Sequence, residues 1–147
     1  MPARCSAAFG LECIRLLAIL LVFCSIDELF QEADVVSIYL VLSGRTRGLV
    51  GAAELALMKP TARLVNTSRG PIVVETDLVA ALRDKKIAGA AIDVFDQEPL
   101  PLDHPFRALP NLLATPHIGY VSRDLYARFY QDTVANICRW LDGQGAG

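Results

Sequence analysis

The feature that most constrains the fold is an alternation along the chain. Four short apolar runs, at residues 35–41 (VVSIYLV), 62–67 (ARLVNT), 88–95 (AGAAIDVF) and 112–115 (LLAT), are separated by stretches of helical spacing or by turn residues. Runs of four to eight residues suit buried strands and are short for core helices. Strands separated by helices pair in parallel through right-handed crossovers, so the predicted fold class is α/β, a doubly wound parallel sheet with flanking helices. The small apolar residues of AGAAIDVF suit a strand covered on both faces.

The intervening segments carry their own start and stop signals. Ser25 followed by Glu28 predicts a capping box that opens a short helix running to Ala33. The loop SGRTRG at residues 43–48 leads to a second short helix near residues 53–58, which Pro60 ends. Leu78, Val79, Ala81 and Leu82 share one helix face, and the charged residues 83–86 form its solvated end. Residues 96–110 contain Pro99, Pro101, Pro105 and Pro110 and are predicted to be irregular. A long helix is expected from about Ser122 to Leu141. In an open parallel sheet the ligand crevice lies beyond the carboxyl ends of the strands, where the turns at Arg69, after Asp93 and at His117 all fall.

With 147 residues, 53% of them apolar and 20% charged, the chain can bury the core of one domain or part of one. A net charge of -2 and the lack of Lys/Arg runs argue against nucleic acid and against an anionic membrane as partners. Cys5, Cys13, Cys24 and Cys138 show neither CxxC spacing nor clustering with histidine, so no metal site is expected and a reduced, cytoplasmic protein is the simplest reading. The run LLAILLVF at residues 16–23 is too short to span a bilayer as a helix. It reads either as a buried strand or helix, or as a targeting segment. Glu12 ahead of it, and residues 25–27 without a small-x-small site, weigh against export.

Four side chains stand out at the predicted edge. Arg69, between Ser68 and Gly70, offers a guanidinium fork suited to a carboxylate, or is a surface arginine paired with a nearby acid. His117, between proline and isoleucine-glycine at a strand end, is placed for proton transfer near neutrality, though a lone histidine is more often structural. Glu98, stiffened by Pro99, can orient an imidazole or be an ordinary loop acid. Asp93, a carboxylate within an apolar run, needs a partner, which is either ligand or backbone amide. His104, in the proline-rich loop, is expected to face solvent.

Three motifs, VNTSRGPIV at 65–73, AGAAIDVFDQEP at 88–99 and TPHIGY at 115–120, together resemble the D-isomer-specific 2-hydroxyacid dehydrogenases in order and spacing. The likeness is dense from about Ser25 onward and implies a Rossmann-like domain. By that resemblance Arg69 would hold a substrate carboxylate and polarise its 2-oxo group, Glu98 would hydrogen-bond the histidine, and His117 would exchange a proton with the substrate oxygen. Asp93 would contact the nicotinamide carboxamide of NAD or NADP, and Leu40, Thr67, Ser68, Arg69, His117 and Gly119 would line the cofactor. The substrate would be a small 2-oxo or 2-hydroxy acid, and the family's habit of pairing through its nucleotide domain implies a homodimer.

No GxGxxG turn for a pyrophosphate occurs anywhere in the 147 residues. Residues 7–14 (AAFGLECI) read as the end of the helix that follows such a turn and the next strand. The expected organisation is a degenerate apolar segment at 1–24, then the C-terminal part of a dinucleotide-binding domain at 25–147. Hydride transfer is expected to be impaired. The alternative is a non-catalytic remnant that acts as a dimerisation or interaction module through residues 43–58 and the last helix.

Overall fold

The computed structural model describes residues 5–9, 12–17 and 20–143, with side chains from Cys24 onward. It divides into two units, Met1–His117 and Ile118–Gly147. In the first, seven strands form one sheet: β1 (Cys5–Phe9), β2 (Glu12–Leu17), β3 (Leu20–Cys24), β4 (Val35–Ile38), β5 (Arg63–Asn66), β6 (Gly89–Ile92) and β7 (Leu112–Ala114). Their order is β3-β2-β1-β4-β5-β6-β7. β1 and β4 to β7 pair in parallel, and β2 and β3 extend the sheet as antiparallel neighbours. The four predicted strands are all present, in the predicted Rossmann-like parallel arrangement.

Two N-terminal expectations change. Residues 7–9 belong to strand β1 rather than to a helix end, and the apolar run at 16–23 is divided between β2 and β3. Residues 10–11 and 18–19, and the side chains before Cys24, lie outside the described residues.

Helices α1 (Ile26–Glu32), α2 (Ala52–Leu57) and α3 (Glu75–Arg83) connect the strands. The Ser25–Glu28 capping box forms in both directions: Ser25 N–H donates to the Glu28 carboxylate at 2.9 Å and Glu28 N–H to Ser25 Oγ at 3.2 Å. Sheet register places Val36, Leu64 and Ala90 in one row and Ile38, Asn66 and Ile92 in another. Both rows are buried, and with Leu29, Phe30, Leu55, Leu78 and Leu82 from the helices they make one core. From β4 to β7 the strand order runs one way, so right-handed crossovers bring α2 and α3 to the same face. Along the opposite face, Val65 and Ala91 are half-buried and Leu113 is 65% exposed.

Strands are shorter than their apolar runs. Residues 39–41 lie beyond β4, where side chains take two of the carbonyls: Ser68 Oγ–H, 28 residues on, donates to Leu40 O, and the nearby Thr46 Oγ1–H to Val41 O at 2.7 Å. The proline-rich segment is not wholly irregular, since Pro105–Ala108 form a 3-10 turn whose N-cap, His104, accepts the Phe106 N–H. At the edge strand, a Cβ on Gly89 would lie 2.7 Å from Asn111 O, so only glycine admits that carbonyl, which accepts the Ala90 N–H at 3.0 Å. In the second unit, α4 (Arg123–Leu141) starts at Ser122, whose hydroxyl accepts the Leu125 N–H.

Candidate active site

The first wall of the site is the turn after β5. Asn66, 1% exposed, donates from Nδ2 to Arg69 O at 2.9 Å and accepts the Ser68 N–H at Oδ1, 3.1 Å. Both ends of its amide therefore shape the turn that presents Thr67, Ser68 and Arg69. Sequence reasoning passed over Asn66, although an amide inside an apolar strand just ahead of SRG was the available signal. Ser68 binds back to Leu40 O, which joins this turn to the exit of β4. Thr67 and Arg69 are exposed, and Arg69 Nη1 donates to Ser68 O at 2.6 Å.

Gly70 sets the spacing between this turn and the next. A Cβ there would fall 2.1 Å from the Phe95 carbonyl carbon and 2.6 Å from Asp96 N. The NTSRG turn thus lies directly against the Phe95–Asp96 peptide, with no room for a side chain.

Asp93 opens the second wall. It lies one residue past the end of β6, not within the strand as predicted, and is 5% exposed. Thr115 Oγ1–H donates to its carboxylate, so a side-chain hydroxyl from the exit of β7 supplies a partner that neither sequence alternative named. The Asp93 N–H donates to Asn66 O at 3.0 Å, extending the β5–β6 ladder into the site.

Glu98 and His117 meet. Glu98 Oε2 lies 2.7 Å from His117 Nδ1, and Oε1 accepts the Phe95 N–H at 3.0 Å. Desolvation raises the Glu98 pKa and is the largest single effect. The hydrogen bonds from His117 and the Phe95 amide, with the charge on His117, outweigh it and hold the carboxyl below the ordinary glutamate value. His117 has φ of 56°, a left-handed conformation uncommon outside glycine and asparagine. Phe95, Glu98, Pro99, Leu100, Pro116 and His117 line an open depression of about 340 Å³.

The predicted residues are thus grouped unevenly. Glu98 joins His117, Asp93 joins Thr115, and Leu40 joins Ser68. Among the described residues no hydrogen bond links the Arg69 guanidinium to Glu98 or His117. Gly119 is exposed and belongs to the second unit. His104 corrects its expectation: its side chain is only 18% exposed and its Nε2 lies 3.2 Å from Glu75. Among the described residues no three His, Cys, Asp or Glu side chains are grouped to hold a metal, and no helix is long and apolar enough to cross a membrane.

Comparison with known proteins points the same way. Residues 16–119 match the family described as D-isomer specific 2-hydroxyacid dehydrogenase, NAD binding domain. Glyoxylate/hydroxypyruvate reductase B of Enterobacter agglomerans is 43% identical over 122 residues, which are 83% of this chain and 38% of that protein. Among solved structures, a D-isomer specific 2-hydroxyacid dehydrogenase of Xanthobacter autotrophicus in complex with NADPH superposes with a TM-score of 0.64 at 37% identity, covering 82% of this chain and 49% of that one. D-lactate dehydrogenase with NAD+ from Lactobacillus jensenii gives a TM-score of 0.71 at 27% identity, covering 84% and 41%. The chain therefore spans about two-fifths of the curated relative's length.

Proposed function

We propose, from the premise that this chain belongs to the D-isomer specific 2-hydroxyacid dehydrogenase family through its NAD binding domain, that it carries the proton-transfer half of a hydride-transfer site for a small 2-oxo or 2-hydroxy acid. The 2.7 Å contact between Glu98 and His117 at the carboxyl edge of the sheet carries this reading. A carboxylate on Nδ1 fixes the ring and its tautomer, so that Nε2 is the nitrogen that exchanges a proton with a substrate oxygen. Arg69, with its guanidinium exposed beside that edge, is assigned to the substrate carboxylate.

The residues fit the nicotinamide end of a dinucleotide. Asp93 is a sheltered carboxylate at the strand ends, able to accept from a carboxamide as well as from Thr115. Leu40, Thr67, Ser68 and Gly119 are assigned to the same cofactor, NAD or NADP. A dihydronicotinamide bound there would supply a hydride, that is, one proton with two electrons. The chain's own part is to deliver the accompanying proton from His117 and to hold the carboxylate.

Residues 25–147 are accordingly assigned to the C-terminal part of a dinucleotide-binding domain, with 1–24 as a degenerate apolar segment. The 147 residues contain no GxGxxG, so weak cofactor binding and slow turnover are expected of this polypeptide alone.

The test is the melting temperature of the purified chain with and without millimolar NADH or NADPH, followed by reduction of glyoxylate and hydroxypyruvate. A ligand that binds the folded state must stabilise it, so a rise with either cofactor is expected. No rise at any concentration would refute the reading.

A second reading, an interaction module, is favoured by α4. Tyr126, Phe129, Tyr130, Val134, Ile137, Trp140 and Leu141 fall within an arc of roughly 140° at 100° per residue. One helix cannot bury such a stripe on itself. Sedimentation of wild type and an Arg69→Ala, His117→Ala double variant separates the readings, since pairing survives those changes and catalysis does not.

A further inference from the structure

We propose that Glu75 and His104 form a positioning pair that fixes the orientation of the Glu98 carboxylate and, through it, of His117. The inference rests on the reading of Glu98 and His117 as the proton-transfer pair.

Glu75 is the first residue of α3. Its Oε1 accepts the Asp96 N–H at 2.9 Å, and its Oε2 lies 3.2 Å from His104 Nε2. His104 Nδ1 accepts the Phe106 N–H at 3.3 Å, so the proton of the neutral ring resides on Nε2 and is donated to Glu75. Both carboxylate oxygens and both ring nitrogens are therefore in use. The side chains are 16% and 18% exposed, against 35% and 38% for Glu98 and His117.

This second carboxylate–histidine pair grips the loop that carries the first. The Phe95–Asp96 peptide is pressed on one side by Gly70 and held through its N–H by Glu75. The preceding N–H, that of Phe95, is the one Glu98 Oε1 accepts. Glu98 thus takes its orientation from the Val94–Phe95 peptide, which shares the Phe95 Cα with the Phe95–Asp96 peptide that Glu75 holds. His104 in turn holds Glu75 and packs its ring edge on Phe106, 4.7 Å between centroids, while Phe106 lies 6.3 Å from Phe95. Burial, and after it the Glu75 charge, raise the Asp96 carboxyl above its ordinary value, against opposition from Arg47. The neighbourhood is crowded with negative charge, and the His104 bond steadies Glu75 within it.

A pair that merely stabilised the loop would lower the melting temperature and leave Glu98 as it is. A positioning pair changes the protonation behaviour of Glu98 and the tautomer of His117. The full chain has only two histidines, so ring ¹⁵N signals are assigned with one His104→Gln sample, and the Glu98 carboxyl carbon is followed by ¹³C titration. In Glu75→Ala, Glu98 is expected to titrate closer to an unperturbed glutamate, and the Nδ1–H tautomer of His117 to give way to Nε2–H. Glu75→Gln retains an acceptor for Asp96 N–H and is expected to restore most of both signals.

The proposal is overturned if folded Glu75→Ala leaves Glu98 and His117 as in wild type, or if Glu75→Gln is no better than Glu75→Ala. Should Glu75→Ala not fold, His104→Gln decides. A shift in the same direction supports the pair, and none overturns it. These readouts need neither cofactor nor substrate, so failure of NADH to stabilise the chain would sink the proposed function without touching this one.

Discussion

Replacing Gly70 by alanine tests whether the site depends on how closely its two walls approach. The backbone conformation of Gly70 is open to any residue, so the cost is one of space alone. The added Cβ would begin 2.1 Å from the Phe95 carbonyl carbon, whereas carbon atoms rest about 3.5 Å apart. The peptide must retreat by roughly 1.4 Å, and it is anchored by Glu75 rather than free to swing. Overpacking of this kind costs about 1–3 kcal/mol, and a rigid backbone obstacle puts it at the upper end. For a domain of this size that is a fall in Tm of about 10 °C. A displacement on the order of 1 Å also costs roughly 100-fold in any turnover the chain shows. Circular-dichroism melts of wild type, Gly70→Ala and Gly44→Ala provide the assay. A Cβ added at Gly44 would meet nothing within 4 Å, so that variant serves as the neutral control. A Gly70→Ala protein that melts within about 3 °C of wild type would refute the reasoning.

Asn66→Leu keeps the volume but abandons Arg69 O and Ser68 N–H, and should lower stability by about 1–3 kcal/mol in urea denaturation. Glu98→Gln should melt below wild type at about pH 6. Because folding lowers the Glu98 pKa, its stabilisation is complete above the unfolded value of about 4.3 and disappears as pH falls through the lower folded value. The two melting curves should therefore converge only in acid, and a gap independent of pH would count against the carboxylate's role. His117→Asn should keep its melting temperature within a few degrees, since asparagine tolerates the left-handed backbone at that position, while abolishing turnover. A large loss of stability would show that the ring serves mainly to hold the loop.

Much of this architecture is legible in local sequence. Ser25 and Glu28 form the capping box that their spacing announces, and the turns at Arg69, Asp93 and His117 share the predicted edge. What escaped depends on partners distant in the chain. His104 looks exposed in a proline-rich segment because Glu75, which holds it, lies 29 residues upstream. The strand expected at 35–41 ends before Leu40, and the hydroxyl that takes Leu40 O comes from Ser68. Asp93 reads as a buried strand acid until Thr115, 22 residues on, supplies its hydroxyl. Asn66 is hidden for the opposite reason, since its bonds reach only two and three residues ahead and fall inside a motif where Arg69 draws the eye.

The placement of β7 has a dynamic consequence. It is three residues long, lies at the outer border of the sheet, and bears the exposed Leu113 and Ala114. His117 hangs three residues beyond it. Short border strands open far more often than the whole domain unfolds. Each such opening would carry Thr115 and His117 away from Asp93 and Glu98 while the helices stay packed on the other strands. The fraction of molecules with a complete proton-transfer pair is then set by the local opening equilibrium of one strand, and exchange of the Thr115 amide, which donates to Ile92 O, measures it directly.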